Sequence, residues 1–474
     1  MNYYIGLDVG TSCVKGMLID DEKIIKVVSR DYPLSFPFPG WSEQNPKDWY
    51  NESISVVKEL ISDIDKSFVR AISFSGQMHG LVMLDNNDEV IRPAILWNDG
   101  RSEKEVDYLN KEIGKEFLLD NTGNIAFAGF TAPKLLWVYE NEPQNFAKIS
   151  KICLPKDYVA YMLSGVFATD TSDAAGTLYF DTKNRCWSKE MLSLIHIDES
   201  KLPAVYESSE AVGYLKKEIC DELGLSNVKI VIGAGDNAAS AIGTGTVNDG
   251  DCNISLGTSG TVFVCTDKYN CDRNNAIHSF CSANNKYHYL ACTLTAASCR
   301  KWWNEDILGC GYDTDLSRFV GKTDVLFLPY LMGERSPVND TKVRGVFCGL
   351  SMNTDKDEMS LAVMEGVAFS LKQNVEIIKS LGVDIRKSKI CGGGTKSRIW
   401  TELMATILGI DIEIPVLEQG GVLGACILAA KGVGNDIGKN FYGIKETIKP
   451  DLSLVDYYEK KYEKYLKLYP AIAG

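Results

Sequence analysis

The sequence has only four histidines, and none of its fourteen cysteines belongs to a CxxC pair. Because closely spaced cysteines and histidines are the usual ligands of structural zinc, we expect no zinc site and interpret the cysteines as free, mostly buried thiols. No apolar run approaches about 18 residues, and no basic segment precedes an apolar one at the N-terminus, so neither a membrane span nor a signal peptide is expected. These absences predict a cytoplasmic protein.

The phosphate-binding pattern GxxxxGK[ST] is also absent, which argues against a P-loop nucleotide site. Basic residues are outnumbered, with 50 Lys and Arg against 63 Asp and Glu and a formal net charge of −13. Nucleic-acid backbones attract basic surfaces, so a general nucleic-acid-binding role is not expected. An acidic protein can still bind ATP where backbone amides and a metal ion contact the phosphates.

The chain does contain enough apolar residues for a large globular protein. With 474 residues, 45% of them hydrophobic, it is too long for one ordinary core and predicts at least two domains. The local patterns predict strands at residues 3–7, 14–19 and 24–29, a helix over 46–64 capped by Asn45, and a strand over 229–235.

The stretch "GLDVGTSCVKGMLID" places a glycine-containing turn between the first two predicted strands. Gly10 lets the backbone approach a ligand closely. Three nearby side chains can donate hydrogen bonds to phosphate: Thr11, Ser12 and Lys15. Asp8 would repel a bare phosphate, so its presence predicts a bridging Mg²⁺ ion. Taken alone, the stretch is equally compatible with an ordinary tight turn.

The same pattern recurs in "CNISLGTSGTVFVCTD". Paired without gaps, residues 8–12 match residues 255–259, and Lys15 falls opposite Val262. A third strand and a helix follow in both copies, which predicts an internal duplication with one hairpin loop in each half. Two α/β domains that present hairpin loops to an interdomain cleft resemble the actin-like (ribonuclease H-like) ATPases. The linker-like "GTGTVNDGD" sets the predicted domains at 1–247 and 248–474.

Two polar motifs interrupt strand-like segments of the N-terminal half. "GQMHG" projects Met78 and His79 from backbone that bends at two glycines, and a small polyol needs such directional groups beside an apolar wall. "WNDGR" contributes Trp97 and Asp99, which could contact the same ligand. Each motif also has a plainer interpretation: an ordinary loop for the first, and a strand end followed by a helix start for the second.

Asp236 is the strongest candidate for the chemical step. It lies in "VIGAGDNAASAIG", at a junction between a predicted strand and a helix. Phosphoryl transfer to an alcohol needs a group that orients the hydroxyl and accepts its proton, and a carboxylate there can serve as that base. The alternative is a helix N-cap, and both roles are compatible. The triple glycine of "CGGGTKSRIW" fits either a nucleotide contact or a simple turn. "LPYLMGERSP" (328–337) is expected to be an ordered interdomain segment without chemistry.

Taken together, the motifs resemble the FGGY family of carbohydrate kinases over about residues 3–432. The matching pieces are "GLDVGTS", "WSEQ", "GQMHG", "RPAILWNDGR", "GFTAPKLLWV", "LPKDY", "SDAAGT", "GDNAA", "LGTSG", "HSFC", "LPYLMGERSP" and "GGG". The combination of "GQMHG", "WNDGR" and "SDAAGT" is similar to members that phosphorylate xylulose rather than glycerol.

The resemblance implies ATP-dependent phosphorylation of D-xylulose at O5, with domain closure around the substrates. It places the catalytic base on Asp236 and the metal-linked carboxylate on Asp8, with Mg²⁺ held by both, partly through water. The ketose contacts it implies are Met78, His79, Asp99, Asp236 and Asn237. The ATP contacts it implies are Thr11, Ser12, Lys15, Gly257, Thr258, Ala296, Gly393 and Gly394.

Several alternatives stay open at this point. The acceptor could be another ketose or polyol, such as ribulose, and a non-kinase actin-like ATPase or a sugar-binding regulator would use the same hairpins. Arg398 stands where some relatives carry Asn beside the adenine, so base contacts there are open. The sequence also leaves open whether the chain forms a homodimer.

Overall fold

A computed structural model of the chain describes residues 2–274, 277–309, 311, 315–417 and 419–473. In chain order, the strands of these residues are β1 Tyr3–Val9, β2 Cys13–Ile19, β3 Ile24–Asp31, β4 Glu43–Gln44, β5 Val69–Gly76, β6 Val82–Leu84, β7 Ala94–Ile95, β8 Lys151–Cys153, β9 Ala168–Asp170, β10 Phe180–Asp181, β11 Cys186–Trp187, β12 Ala204–Tyr206, β13 Ala211–Tyr214, β14 Lys229–Val231, β15 Ala234–Gly235, β16 Cys252–Leu256, β17 Gly260–Thr266, β18 His278–Cys281, β19 Tyr287–Thr293, β20 Leu326–Leu328, β21 Val346–Cys348, β22 Lys387–Cys391, β23 Asp411–Pro415 and β24 Ile444–Ile448.

The α-helices of the same residues are α1 Pro46–Leu60, α2 Glu103–Asp107, α3 Lys115–Thr122, α4 Thr131–Asn141, α5 Pro143–Phe146, α6 Pro155–Ser164, α7 Thr171–Ala174, α8 Lys189–Leu194, α9 Lys217–Leu223, α10 Asp236–Thr244, α11 Ala297–Lys301, α12 Lys356–Ser380, α13 Arg398–Leu408, α14 Gly420–Lys431, α15 Val455–Tyr465 and α16 Leu468–Ile472. Within this part of the chain, no helix has both the length and the apolar character that crossing a bilayer requires.

Two seven-stranded sheets organise the molecule, and their topologies correspond. The N-terminal sheet runs β13-β14-β5-β1-β2-β3, with β15 also pairing β5, and the C-terminal sheet runs β18-β19-β17-β16-β22-β23-β24. In each sheet an antiparallel hairpin adjoins a run of parallel strands and ends on an antiparallel strand: β1–β2 with β5 and β14 in one, β16–β17 with β22 and β23 in the other. The predicted duplication and the actin-like fold class are therefore confirmed.

The first predicted helix begins where the sequence indicated. The Asn45 side chain accepts a hydrogen bond from the Lys47 amide at the N-terminus of α1, and Pro46 occupies the first helical turn. The helix ends at Leu60, four residues before the predicted end at residue 64. The Ser62 hydroxyl and the Lys26 ammonium both bond to the Glu59 carbonyl, so these side chains satisfy a carbonyl that a longer helix would have used.

The strand predicted over residues 229–235 is interrupted. It divides into β14 and β15 because Gly233 has a φ of +78°, and a Cβ there would lie 2.0 Å from the Phe74 carbonyl oxygen. Only glycine tolerates this backbone at this separation. The break allows β15 to pair with the end of β5 and delivers α10 to the edge of the sheet.

Helices α10 and α14 cross at very short range between the two sheets. A Cβ at Gly243 would lie 2.0 Å from the Gly420 carbonyl oxygen, and one at Gly424 would lie 1.8 Å from that of Ala239. Helix α14 also rests directly on β1, where a Cβ at Gly6 would lie 2.5 Å from the Val422 oxygen. A helix from the C-terminal half thus covers the N-terminal sheet, and its apolar side chains share one core with β1, β2 and α10.

Candidate active site

The two hairpin loops differ in length. In the first, Val9 pairs with Val14 and Asp8 with Lys15, so residues 10–13 form the loop. In the second, Leu256 pairs with Gly260 and Ser255 with Thr261, which leaves only residues 257–259. The counterpart of Lys15 is therefore Thr261, and the gap-free prediction of Val262 was wrong because the second loop is one residue shorter.

The Thr11 hydroxyl is held by the protein itself. It donates to Gln77 Oε1 at 3.2 Å and accepts from Trp97 Nε1 at 2.9 Å, while the Thr11 carbonyl accepts from Gln44 Nε2 at 2.6 Å. A hydroxyl has one proton, so donation from Thr11 to a phosphate requires the bond to Gln77 to break. The neighbouring Ser12 side chain is exposed and carries no such constraint. Phosphate contact by both residues remains a prediction.

Asp8 and Asp236 bring two carboxylates together at the interdomain cleft. Burial raises the pKa of Asp8, opposed by the nearby Ser75 hydroxyl and the charge of Lys15. Burial and, after it, the charge of Asp8 together raise the pKa of Asp236 to about 7. Gly421, in the first turn of α14, lies against Asp8, since a Cβ there would be 3.1 Å from Asp8 Oδ2.

Asp236 is the first residue of α10, and Gly235 is the N-cap. The N-cap interpretation of Asp236 was therefore wrong, although the predicted strand-to-helix junction is present. Asp236 Oδ1 accepts hydrogen bonds from the Asn237 amide at 2.6 Å and from Asn237 Nδ2 at 2.8 Å. These bonds fix one oxygen and leave Oδ2 as the atom available to a ligand.

Met78 and His79 lie beside this junction. The Met78 sulfur is 3.9 Å from Asn237 Nδ2, and a Cβ at Gly235 would touch the Met78 side chain at 3.0 Å. His79 has a positive φ of 68°, which turns its ring towards Gly176, where Nδ1 is 2.7 Å from the carbonyl oxygen. The structure thus brings together three of the predicted ketose contacts, Met78, Asp236 and Asn237, and places His79 next to them.

The His79 ring is neutral and has a defined tautomer. Burial and the positive charge of Lys134 lower its pKa to about 3. Because a carbonyl oxygen only accepts, Nδ1 must carry the proton that it donates to Gly176, and Nε2 is left as an acceptor. Lys134 Nζ in turn donates to the His79 carbonyl at 2.8 Å, so the whole residue is fixed. A fixed acceptor of this kind suits a sugar hydroxyl.

Asp99 already has protein partners on both oxygens. Oδ1 accepts from the Arg101 amide at 2.9 Å and Oδ2 from the Ser42 amide at 2.5 Å, while the Arg101 guanidinium pairs with the carboxylate and stacks 3.6 Å above the Trp41 ring. This arrangement favours a role in holding the loop after Trp97. Its contact with a ketose remains a prediction.

A cavity of about 1090 Å³ lies between the second hairpin and the triple glycine. Its walls include Gly257, Thr258, Ala297, Ser298, Gly393, Gly394 and Arg398. A Cβ at Gly393 would meet no atom within 4 Å, so this backbone faces the open cavity. Gly392, with a φ of +98°, brings the triple glycine against the hairpin, where its Cβ would lie 3.0 Å from the Gly257 nitrogen. Four of the predicted ATP contacts therefore share one cavity.

Ala296 is placed differently from the other predicted ATP contacts. Its side chain is fully buried, and its amide donates to the Thr258 carbonyl at 2.9 Å. The following residues, Ala297 and Ser298, line the cavity instead. Arg398 also lines it and forms ion pairs with Glu402 and Glu446.

The motif-by-motif interpretation assigned no role to a buried ionic cluster behind the strand-to-helix junction at Asp236. Lys156 lies 2.5 Å from Asp157 and 2.9 Å from Asp170, all almost completely buried. Asp170 Oδ2 accepts from the Ser172 hydroxyl at 2.5 Å, and that hydroxyl accepts from the Gly235 amide at 3.1 Å. The cluster thus supports the residue that precedes Asp236. The only sequence signal was the pair "LPKDY" and "SDAAGT", which entered solely through the family resemblance.

Two actin-like domains with paired hairpins, a carboxylate pair and a nucleotide-sized cavity define a phosphoryl-transferring enzyme of the actin-like superfamily. The chain belongs to the FGGY family of carbohydrate kinases. The model of the family's N-terminal domain matches residues 3–243, and that of its C-terminal domain matches residues 252–433. Kinases of this family use ATP as the phosphoryl donor.

The similar proteins are named as kinases of different sugars. The xylulose kinase of Escherichia coli (strain K12) is 38% identical over 435 residues, which cover 90% of this chain and 89% of that protein. A xyloylose kinase from Brucella ovis has 40% identity and a TM-score of 0.94, covering 100% of this chain and 99% of its own. A gluconate kinase from Lactobacillus acidophilus, at 28% identity, has a TM-score of 0.95 with coverage of 100% and 98%.

Proposed function

We propose that this enzyme phosphorylates D-xylulose at O5 with ATP, and that Asp236 is the general base. The observation that carries the proposal is the Asp236 carboxylate, with a pKa raised to about 7, beside Met78 and the fixed acceptor of His79. A base whose pKa lies near neutrality is suited to accept a hydroxyl proton at physiological pH. The similarity to two proteins named as xylulose kinases supports the choice of sugar.

The two halves divide the substrates between them. Residues 1–247 supply the ketose contacts, namely Met78, His79 and Asn237, with Asp99 behind them. Residues 248–474 supply the nucleotide cavity, with Gly257, Thr258, Gly393 and Gly394 against ATP and Ala296 supporting the wall. The first hairpin contributes Thr11, Ser12 and Lys15 to the phosphates from the opposite side. A hydrophobic wall beside a few fixed polar groups is typical of a small-molecule site.

Asp8 and Asp236 fit a divalent cation. Both carboxylates are largely shielded from water, the charge of Asp8 raises the pKa of Asp236, and the charge of Lys15 opposes the raised pKa of Asp8. No cluster of three or more His, Cys, Asp or Glu suited to a metal occurs in the described parts of the chain. Mg²⁺ commonly binds through one or two carboxylates, waters and substrate phosphates, and when bound it would neutralise phosphoryl charge.

The proposed reaction is a single phosphoryl transfer from ATP to O5 of the ketose. The O5 oxygen of the ketose forms a bond to the γ-phosphorus as the bond between that phosphorus and the ADP oxygen breaks. The O5 proton moves to Asp236 Oδ2, since Oδ1 is held by Asn237. Lys15 and the hairpin amides stabilise the charge on the transferred group, and closure of the domains keeps water from intercepting it.

A coupled assay of ADP release tests the function. The panel contains D-xylulose, D-ribulose, gluconate and glycerol, because a gluconate kinase shares this fold at 28% identity. We expect D-xylulose to give the highest kcat/KM, at least about tenfold above the others, which corresponds to about 1.4 kcal/mol of discrimination. Preference for another acceptor refutes the sugar assignment, and release that no sugar stimulates refutes the kinase assignment in favour of an ATPase.

The proposal also covers the cellular location and the oligomeric state of the enzyme. We place the enzyme in the cytoplasm, where its donor ATP is available. A homodimer is also proposed, and light scattering coupled to size-exclusion chromatography tests it, since a monomer would elute near 52.4 kDa.

A further inference from the structure

The segment at residues 334–336 is fixed firmly to the end of β19. The Glu334 side chain is completely buried, and its Oε1 accepts from the Leu294 amide at 2.8 Å and from the Arg335 amide at 2.7 Å. The Ser336 amide donates to the Cys292 carbonyl at 2.9 Å. Backbone on both sides of Arg335 is therefore held, so the direction of its side chain is set before any ligand binds.

Arg335 reaches from the C-terminal half to an aromatic cluster around His79. Its guanidinium carbon lies 5.5 Å from the centre of the Phe127 ring. Phe127 packs on Phe130 at 5.6 Å, and Phe130 packs on His79 at 4.8 Å. The positive charge of Arg335 helps to lower the pKa of His79. These contacts place the guanidinium on the His79 side of the cleft, facing the proposed ketose site from the opposite domain.

The guanidinium has no carboxylate partner among the residues that the structure describes. The partly buried Arg92, Arg101 and Arg185 are each paired with a carboxylate, that of Glu142, Asp99 and Glu207 respectively. The Cys292 thiol can take one of the five N–H donors of Arg335, and the Glu334 carboxylate acts on it only through charge. The hydration that this half-buried cation has lost is therefore replaced only in part by the described residues. Arg335 therefore presents unused hydrogen-bond donors to the cleft, next to a histidine whose free nitrogen is an acceptor.

We propose that Arg335 determines acceptor specificity by donating hydrogen bonds to oxygen atoms of the ketose from the C-terminal domain, a role that rests on the proposed function. The sugar would then be held by the His79 acceptor on one side and by a cation on the other. Because the two contacts belong to different domains, sugar binding would favour the closed state in which ATP and ketose meet. Glu334 is the positioning residue that fixes the Arg335 backbone.

The test compares Arg335→Gln, Arg335→Lys and the control Lys342→Gln, which removes an exposed positive charge from the same loop. Ketose and ATP are varied separately in steady-state assays. Losing a charged hydrogen bond costs about 1.5–3 kcal/mol, so Arg335→Gln should raise the KM for ketose by roughly 10- to 150-fold. The KM for ATP should stay within about twofold. Arg335→Lys should recover part of the loss, and Lys342→Gln should behave as wild type.

Glu334 provides a second, independent variant pair. Glu334→Gln keeps an acceptor for the two amides and should leave the KM for ketose nearly unchanged. Glu334→Ala frees the loop and should raise it in the same direction as Arg335→Gln. Thermal melts of all variants report folding, so a KM change without a change in Tm separates ligand contact from general damage.

Two outcomes overturn the role of Arg335, and a third overturns that of Glu334. An unchanged ketose KM in Arg335→Gln refutes the role of Arg335, and so does a fall in kcat or a rise in ATP KM alone, which would assign the cation to the phosphoryl group. A Glu334→Ala variant that matches wild type refutes the positioning role. The wild-type arm tests the proposed function separately, because absence of ketose-dependent turnover there refutes that function whatever the variants do.

Discussion

Replacing Asp236 by asparagine should lower turnover by orders of magnitude and at the same time make the protein more stable. The ionised carboxylate is disfavoured in the folded protein, since burial and the charge of Asp8 raise its pKa from 3.8 to about 7. A raised pKa in an acid means that the folded protein favours the protonated form. The folded state therefore loses stability as pH rises from about 4 towards 7, and the loss is constant above that range.

The size of the effect follows from the shift. A change of about three units, at about 1.4 kcal/mol per unit, gives an upper bound of about 4 kcal/mol above pH 7. Asparagine is neutral at every pH and its oxygen can still accept from the Asn237 amide. We therefore expect Asp236→Asn to match wild type near pH 4 and to exceed it by about 1–4 kcal/mol at pH 8.

Urea unfolding at several pH values measures the stability difference, and the ADP-release assay measures turnover. Loss of a general base should lower kcat by about 10²–10⁴-fold. In wild type, kcat/KM should rise with pH through an acidic limb near pH 7, because only the ionised carboxylate accepts a proton. The matched control is Asp99→Asn, which removes one of the two carboxylates paired with Arg101, the other being Glu43, and should destabilise the protein.

Two results would refute this reasoning. Near-normal turnover in Asp236→Asn would remove Asp236 from the chemistry. A stability difference between variant and wild type that does not grow between pH 4 and pH 7 would mean that folding does not raise the pKa of Asp236.

The remaining predictions concern close backbone contacts and the first hairpin. Gly424→Ala should lower the free energy of unfolding by about 1–3 kcal/mol in denaturant melts, because its Cβ would lie 1.8 Å from the Ala239 oxygen. Gly393→Ala, with open space around its Cβ, is the control; equal stabilities would contradict the tight crossing. Gly393→Val should raise the KM for ATP by about tenfold without lowering Tm. Thr11→Val should raise the KM for both substrates, because Gln77 loses its donor, and Thr11→Ser should restore them.

The hairpins and their duplication were predictable because they depend on local patterns. Alternating apolar residues around "GTS" specify strands and a turn whatever lies elsewhere in the chain. The residue pairing across the second hairpin could not be predicted from the sequence. Matching letters cannot reveal that the second loop is one residue shorter, so Thr261 rather than Val262 stands opposite Ser255.

The proposed catalytic residues, Asp8 and Asp236, follow from motif chemistry, but the residues that support them could not be predicted in this way. Lys156 and Asp170 are far from Gly235 in sequence and come close to it only in the folded protein. There both side chains are buried, so their ion pair is shielded from water. Arg335 was passed over because an arginine in a loop has no periodicity that marks it. Its proposed role depends on the absence of an ion-pair partner among the described residues, which only the tertiary structure can reveal.

The packing of α14 on the first two strands has a consequence for how the protein is made. The Cys426 thiol donates to the Met17 carbonyl across a separation of 409 residues. At about 5–20 residues per second, a ribosome needs roughly 20–80 s to span that interval. Throughout this time the face formed by Tyr4, Met17 and Ile19 has no covering helix. Newly synthesised chains should therefore be a chaperone substrate until translation is almost finished, and a truncation before α14 should aggregate rather than fold.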